Sequence, residues 1–193
     1  MIVKEMKPGL EVMSAVQEDL RIFAGDAFTD SGLMTNSYLV EYESALIVLG
    51  SLPAPYLKKW AEKITGRAGG KKVYFVSFCQ RSDKCALELL NASIPDICVI
   101  GSSVALYILD TKQKAITIRG RKTLELGGGS LTFSSQTGGN LFVSWDEQNV
   151  LFSGNAYGSY CAYQTPLLSE IEDKRDYYRG AENYRREPHY VSF

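Results

Sequence analysis

A short apolar strand that leads directly into a helix constrains this chain more than any other stretch. Residues 73–78 read VYFVSF, a run of apolar, β-branched and aromatic side chains that is typical of a buried strand. A helical pattern opens at Ser82 and continues to Ala92 with apolar residues at helical spacing. Ligands of α/β proteins usually lie at such a junction, at the carboxyl end of a strand. The stretch therefore predicts an α/β fold with a candidate site just after Phe78.

The sequence before and after the junction predicts the remaining elements. Residues 36–49 predict a β-hairpin with a tight turn, and its second strand is apolar throughout and therefore buried on both faces. A helix follows from Pro53, and Gly66 stands where a C-cap glycine belongs. Residues 97–101 predict a further buried strand, with Ser102 capping the helix after it.

From Ala115 onward the pattern changes to hairpins. Short apolar segments alternate with turns rich in Gly, Asn and Asp up to residue 153. The glycines at 127–129 are predicted to form a turn, since no helix follows them to hold a phosphate at its N-terminus. Residues 168–193 are predicted to form an exposed, mixed-charge helix and a tail. The pattern predicts a four-layer αββα sandwich, with residues 36–101 and 115–153 supplying the two sheets.

Length and composition limit the possible functions. The chain has 193 residues, of which 45% are hydrophobic, and we expect a single domain over 1–193. The formal net charge of −1 gives no basic excess for nucleic acid. No stretch approaches the roughly 20 apolar residues of a membrane helix, and no signal peptide is evident. We therefore expect a cytoplasmic protein that binds neither nucleic acid nor membrane.

Four irregularly spaced cysteines, with no C-x-x-C pair, are expected to be reduced thiols. Cys79 differs from the others because it lies in the junction, near Arg81 and Lys84. A low-pKa thiol is physically reasonable at a helix N-terminus. An inert thiol is the favoured interpretation, since no neighbour in the sequence supplies a general base.

The junction sequence FCQRSDKCALELL resembles the first metal-binding segment of the metallo-β-lactamase superfamily. That segment reads H-x-E-x-D-H in the flavodiiron branch and H-x-H-x-D-H in the hydrolase branches. The ligand positions of this pattern fall on Phe78, Gln80, Ser82 and Asp83. Phe, Gln and Ser are poor substitutes for imidazole and carboxylate ligands. Asp83 is able to ligate, although it stands where the family has His.

Further stretches resemble the oxygen-reducing, diiron domain of flavodiiron proteins over about residues 16–180. They lie at 20–23, 35–50, 124–133 and 150–162 and around residues 176–178. The resemblance implies another His ligand in a loop that here offers Gln136, and a bridging carboxylate where Asn155 stands. The only histidine, His189, does not match the family's last ligand segment. We therefore expect no metal, no other cofactor, no flavodoxin domain and a domain shortened at its C-terminus.

The resemblance implies that the former metal site survives as a polar, uncharged pocket or is closed. Its expected residues are Phe78, Cys79, Gln80, Ser82, Asp83, Gln136 and Asn155. A small neutral ligand or water would suit such a pocket. The leading hypothesis is a metal-free, non-enzymatic module for binding, regulation or assembly, since fold alone does not confer activity.

Two enzymatic alternatives stay open from the sequence. In one, Cys79 acts as a thiol nucleophile or redox group with Asp83 beside it. In the other, an atypical metal is held through Asp83, Cys79, Cys85 or His189. Either would give an oxidoreductase or hydrolase with an altered site.

The aromatic tail suggests how copies of the chain would associate. Tyr184, Tyr190 and Phe193 carry the rings that protein interfaces favour. We expect a homodimer that uses some of them, with a tail that packs within its own chain or is disordered as the alternative.

Overall fold

The computed structural model describes residues 1–19, 22–23, 27–28, 33–80, 82–136, 139–154, 160–161 and 190–191. Within these ranges the chain forms two large sheets, a separate two-stranded hairpin and three α-helices. The helices are α1 (Leu57–Ala68), α2 (Asp83–Ser93) and α3 (Ser103–Leu109). Short 3₁₀ turns occupy Ala54–Tyr56 and Asp146–Gln148.

The first sheet has eight strands, of which seven follow one another in space. In that order they are β1 (Ile2–Lys7), β2 (Leu10–Gln17), β5 (Leu33–Glu41), β6 (Ala45–Leu49), β7 (Lys72–Val76), β8 (Cys98–Ser102) and β9 (Ala115–Ile118). The eighth strand, β14 (Tyr160–Cys161), pairs with β5. The strands from β1 to β6 are antiparallel, whereas β6, β7, β8 and β9 run parallel. A small separate hairpin joins β3 (Ile22–Phe23) to β4 (Ala27–Phe28).

The second sheet has five strands and is mainly antiparallel. Its spatial order is β10 (Arg121–Glu125), β11 (Ser130–Ser135), β12 (Leu141–Trp145), β13 (Val150–Phe152) and β15 (Tyr190–Val191). The β10–β11 turn contains the three consecutive glycines, and Leu126 N–H donates to the Gly129 carbonyl at 2.8 Å. A Cβ at Gly127 would lie 2.3 Å from Ala45 Cβ, so this turn packs closely on the start of β6. The glycine run therefore forms the predicted turn.

Two apolar clusters hold the layers together. One lies between the first sheet and the helices, where Trp60, Ile64 and Leu90 are fully buried beside Phe75. The other lies between the sheets, where Ile47 belongs to the same cluster as side chains of β11, β12 and β13. The apolar run of β6 thus serves both cores, which explains why it has no polar face.

The predicted mixed α/β fold with two packed sheets is confirmed, and two details of the prediction are wrong. Ala115–Ile118 belongs to the first sheet, since β9 runs parallel to β8 after the crossover through α3, instead of opening the second sheet. Helix α1 continues past Gly66 and ends at Gly69, which has a left-handed φ of 50°. Of the exposed helix and tail predicted for residues 168–193, the structure describes Tyr190–Val191, which form β15 beside β13.

Candidate functional site

The parallel pairing of β6 and β7 brings their carboxyl ends to one edge of the first sheet. Leu49 lies opposite Val76, and Gly50 N–H donates to the Val76 carbonyl at 2.9 Å. Ser51 therefore follows β6 next to the loop that leads from β7 into α2. The sequence pattern predicts this edge as the place where a ligand would bind.

The centre of the junction is the buried carboxyl group of Asp83, the first residue of α2, which is 1% exposed. The Ser51 hydroxyl donates to one carboxyl oxygen at 2.6 Å. The Ser77 hydroxyl donates to the other at 2.6 Å, and Gln80 N–H donates to the same oxygen at 3.1 Å. Asp83 thus holds the end of β6, the end of β7 and its own helix together.

Two further side chains complete the Asp83 network, which consists of Ser51, Ser77, Gln80, Ser82 and Asp83. Ser51 N–H donates to Gln80 Oε1 at 3.1 Å. The hydroxyl oxygens of Ser51 and Ser82 lie 2.7 Å apart. Because Ser51 has one hydroxyl proton and directs it to Asp83, Ser82 is the donor to Ser51. Every hydroxyl proton in the network therefore points, directly or through Ser51, toward the carboxyl group.

The surroundings of Asp83 act on its pKa in opposite directions. Burial is the larger effect and raises the pKa of Asp83 above its ordinary value of 3.8. Hydrogen bonds from Ser51 and Ser77, and from the backbone of Gln80 and Phe78, lower it and offset part of that rise. The result is an acidic group whose hydrogen-bonding capacity is used within the protein, without a free lone pair directed to a ligand.

Cys79 lies at the outer side of this network and has an unusual backbone. Its φ of +65° is left-handed, which costs a non-glycine residue on the order of 1 kcal/mol. Its N–H donates to the Ser77 hydroxyl oxygen at 3.1 Å, which helps to hold that conformation. Burial, and then the nearby Asp83 charge, raise the pKa of the Cys79 thiol. This direction is opposite to the one that an activated cysteine nucleophile requires.

Phe78 belongs to the apolar core between the two sheets and is 4% exposed. Its ring lies between two glycines with left-handed φ angles, Gly50 at +69° and Gly154 at +56°. A Cβ at Gly154 would lie 2.8 Å from Phe78 Cδ1, and a Cβ at Gly50 would lie 3.2 Å from Cδ2. The ring thus occupies the space between the end of β6 and the segment that follows β13.

The other predicted pocket residues are placed differently. Gln136 makes its hydrogen bonds within its own loop, to the Asn140 carbonyl at 2.9 Å through its N–H and to the Ser134 hydroxyl at 3.3 Å through its amide. Asn155, Arg81 and His189 lie outside the described residues. The structure therefore brings Phe78, Cys79, Gln80, Ser82 and Asp83 together, while a pocket that also includes Gln136 and Asn155 stays a prediction.

Ser51 was not predicted from the sequence, although it contacts three members of the Asp83 network. A signal for it was present. The apolar run of β6 ends in Gly50-Ser51, and polar residues that follow neighbouring parallel strands meet at the same edge of a sheet.

The donor set at the junction does not suit a transition metal. Among the described residues, no group of three or more His, Cys, Asp or Glu side chains is arranged to hold a metal ion. Phe78 offers no lone pair, Gln80 and Ser82 are neutral, and the Asp83 carboxyl is enclosed by donors. Two surface cavities lie elsewhere, one lined by Val16–Asp19 with Pro55 and Tyr56, the other beside Glu11 and Arg67.

Similar structures are found among flavodiiron proteins. A flavoprotein from Thermotoga maritima superposes with a TM-score of 0.81 at 15% identity, covering 97% of this chain and 54% of that one. Rubredoxin oxygen:oxidoreductase from Desulfovibrio gigas gives a TM-score of 0.75 at 18% identity, covering 96% and 53%. The flavodiiron protein from Giardia intestinalis gives 0.71 at 22% identity, covering 89% and 44%.

The chain spans about half the length of these flavodiiron proteins. No family model matches the sequence, and no curated protein matches it either. No helix in the described ranges is long and apolar enough to cross a membrane. On this structural likeness, the chain has the metallo-β-lactamase-like fold of the diiron domain of flavodiiron proteins.

Proposed function

We propose that this chain is a metal-free metallo-β-lactamase-fold module that acts by binding, in a regulatory or assembly role, and does not catalyse a reaction at the junction. The observation that carries the proposal is the Asp83 network. The one carboxyl group among the described junction residues accepts hydrogen bonds from two hydroxyls and a backbone amide, and is turned away from solvent.

Replacing metal ligands by neutral groups is physically consistent with a stable fold. Clustered carboxylates and imidazoles repel one another or must be neutralised when no cation is bound. Phe78 instead contributes apolar contacts between the sheets, where it packs against Gly154. In this proposal the two neighbouring strand ends are joined by hydrogen bonds through Asp83 in place of bonds to a metal.

A thiol-based enzyme is the weaker alternative. Burial and the Asp83 charge raise the pKa of Cys79, so the thiolate is disfavoured at neutral pH. Asp83, the titratable group of the junction, accepts hydrogen bonds from Ser51, Ser77 and Gln80, and the hydrogen bond described for Cys79 comes from its backbone N–H and not from its thiol.

Metal content tests the proposal directly. Purified protein is dialysed exhaustively, analysed for iron, zinc and manganese, and then titrated with each ion by calorimetry. We expect far less than one equivalent per chain, and neither oxygen reduction nor β-lactam hydrolysis. One equivalent or more of iron or zinc would overturn the proposal, and repeating the measurement on Asp83→Ala would show whether that metal lies at the junction.

The proposed role leaves room for a second copy of the chain as partner, in the cytoplasm. The proposed contacts are some of the aromatic residues Tyr184, Tyr190 and Phe193, of which Tyr190 lies in β15 opposite Val150 of its own chain. Sedimentation velocity at micromolar concentration should show a dimer that weakens when all three are replaced by Ala. A monomer would exclude the dimer, and an unchanged dimer would exclude these contacts.

A further inference from the structure

Strand β9 ends the spatial order of the first sheet, and within the described ranges it pairs with β8 alone. Val99 N–H donates to the Lys114 carbonyl at 2.8 Å. This bond shows which residues of β9 direct their backbone groups to β8. In a parallel strand, the backbone groups of every second residue point to the same neighbouring strand. The backbone groups of Ile116 and Ile118 therefore point to β8, like the Lys114 carbonyl. Ala115 and Thr117 therefore direct their backbone N–H and C=O groups away from the sheet, where another strand is able to pair.

Among the described residues, positive charge is in excess beside this edge, between the exposed acidic residues Asp110 and Glu125. Residues 111–124 contain no Asp or Glu but carry five exposed cations: Lys112, Lys114, Arg119, Arg121 and Lys122. Their side chains make no ion pair or hydrogen bond with the rest of the described chain. By contrast, Lys63, Arg67 and Lys71 are all paired with Glu11 of β2 or Glu41 of β5. Positive charge near β9 is thus available to a partner.

The helix that lies against β9 adds apolar surface. In α3, Tyr107 is 86% exposed and Ile108 is 54% exposed, although the helix packs on β8 and β9 through other residues. Val104 of the same helix is 47% exposed. Large apolar side chains exposed next to an open strand edge are typical of peptide-binding surfaces.

We infer that β9 binds an acidic, extended protein segment, which adds to the first sheet as a further strand. The outward backbone groups of Ala115 and Thr117 would bond to the segment, and the flanking cations would attract its Asp or Glu side chains. Its apolar side chains would lie beside Tyr107 and Ile108. Lysines next to an edge disfavour unselective pairing, so the same charges would restrict binding to acidic strands.

A nucleic acid fits this surface less well. Phosphates would satisfy the cations but would not match the alternating N–H and C=O groups of a strand edge. The whole chain is also slightly acidic, with a formal net charge of −1. This inference supplies a partner for the proposed binding role, but its failure would leave the metal-free junction untouched, because metal content and peptide binding are measured separately.

The probe for this site is an N-acetylated peptide of about nine residues in which Glu and Val alternate, a length typical of strands. Binding to the full chain is followed by isothermal titration calorimetry at low and high salt. We expect saturable binding that weakens at least about tenfold between 50 and 500 mM salt, since screening reduces the attraction between charges. A Lys–Val peptide of equal length should not bind. A Glu–Val peptide N-methylated at alternate residues should lose binding, because one edge of it lacks N–H donors.

Two variants test the surface and one serves as the control. Thr117→Pro removes an outward N–H without touching the β8 ladder and should abolish binding. Lys114→Glu with Arg119→Glu should weaken it at least about tenfold. Lys58→Glu with Lys59→Glu makes the same change of charge on exposed positions of α1 and should have no effect. Thermal unfolding of each variant shows whether it is folded.

Several results would overturn the inference. One is the absence of Glu–Val peptide binding up to about 1 mM peptide. Another is binding of the N-methylated peptide as tight as that of the unmethylated one. A third is that the α1 control variant weakens binding as much as Lys114→Glu with Arg119→Glu. Tighter binding of a single-stranded oligonucleotide than of the Glu–Val peptide would identify a nucleic-acid surface instead. If Thr117→Pro does not fold, the charge-reversed variant and the N-methylated peptide still decide the question.

Discussion

The Ser77 hydroxyl donates a 2.6 Å hydrogen bond to the carboxyl group of Asp83, and the same hydroxyl oxygen accepts the N–H of Cys79. These two hydrogen bonds join residues within the turn between β7 and α2 to each other. Because Ser51 approaches Asp83 from the neighbouring strand, the closed turn is also fixed to β6. Hydrogen bonds among the described residues thus join the two strand ends and the start of α2, and substitutions of these residues test what the bonds contribute.

Replacement of Asp83 should reveal a characteristic pH dependence. Because the pKa of Asp83 is raised in the folded state, its contribution to stability is fully present below about pH 3.8 and is lost as pH rises through the folded pKa. The free energy of unfolding of the wild type, minus that of Asp83→Asn, should fall by up to about 1.4 kcal/mol per pH unit in that window. Urea unfolding at pH 4 to 7 measures this difference.

The same substitution at the exposed Asp96 is the control for the exchange of Asp for Asn, and the fall at Asp83 should exceed any change measured there. A wild-type advantage over Asp83→Asn that grows with pH would mean that hydrogen bonding to the carboxylate outweighs its burial. The folded pKa of Asp83 would then be lowered, and the account of the network given above would be wrong.

Ser51 should be the most sensitive serine of the junction. It is fully buried, and Ser51→Ala would remove the donor to Asp83 Oδ1 and the acceptor for Ser82. Leaving a buried carboxyl oxygen without its partner should cost about 2–3 kcal/mol of unfolding free energy. Ser93→Ala, at the exposed end of α2, should stay within about 0.5 kcal/mol. Equal effects at the two positions would argue that the network contributes little to stability.

The contact between Phe78 and Gly154 should appear as an energetic coupling. Gly154→Ala would force a Cβ into a backbone with φ +56° and to 2.8 Å from the Phe78 ring, so we expect a loss of about 2 kcal/mol or more. In a Phe78→Leu background the steric part should be relieved, and the loss should shrink by about 1 kcal/mol. A double-mutant cycle measured by urea unfolding gives this coupling.

Gly66→Ala is the matched control for that cycle. Gly66 lies inside α1, and a Cβ there meets nothing within 4 Å. The Gly66→Ala substitution should stabilise the protein by about 0.5–1 kcal/mol, since alanine is the better helix former. Absence of coupling between positions 78 and 154 would contradict the packing described for the ring.

Local patterns were sufficient to predict the elements that carry the junction. The apolar run at 73–78 and the helical spacing after Ser82 correspond to β7, its loop and α2. Such elements are recognisable because their signal lies in adjacent residues. The resemblance to the flavodiiron diiron domain rested on short stretches spread along the chain, and the structural comparison confirms it at the level of the fold.

Long-range relationships were not predictable in the same way. Ser51 and Asp83 are 32 residues apart, and nothing local to Ser51 indicates that it donates to a carboxyl group. The error at Ala115–Ile118 has a similar cause, because a short strand has the same pattern whether it pairs with β8 or with β10. Sheet membership is decided by the crossover through α3, which only the three-dimensional structure shows.

Alkylation of Cys79 distinguishes a binding module from a thiol enzyme. Burial and the Asp83 charge raise the pKa of Cys79, so the thiolate is disfavoured at pH 7. Iodoacetamide should therefore modify Cys79 more slowly than the exposed Cys85, as measured by peptide mass spectrometry. Its rate should rise with pH from 7 to 9, as the thiolate fraction increases. In Asp83→Asn the rate at Cys79 should increase, because the neighbouring negative charge is gone while the burial persists.

Faster modification of Cys79 than of Cys85 at pH 6 would instead indicate an activated thiol, and would favour the enzymatic alternative over the proposed function.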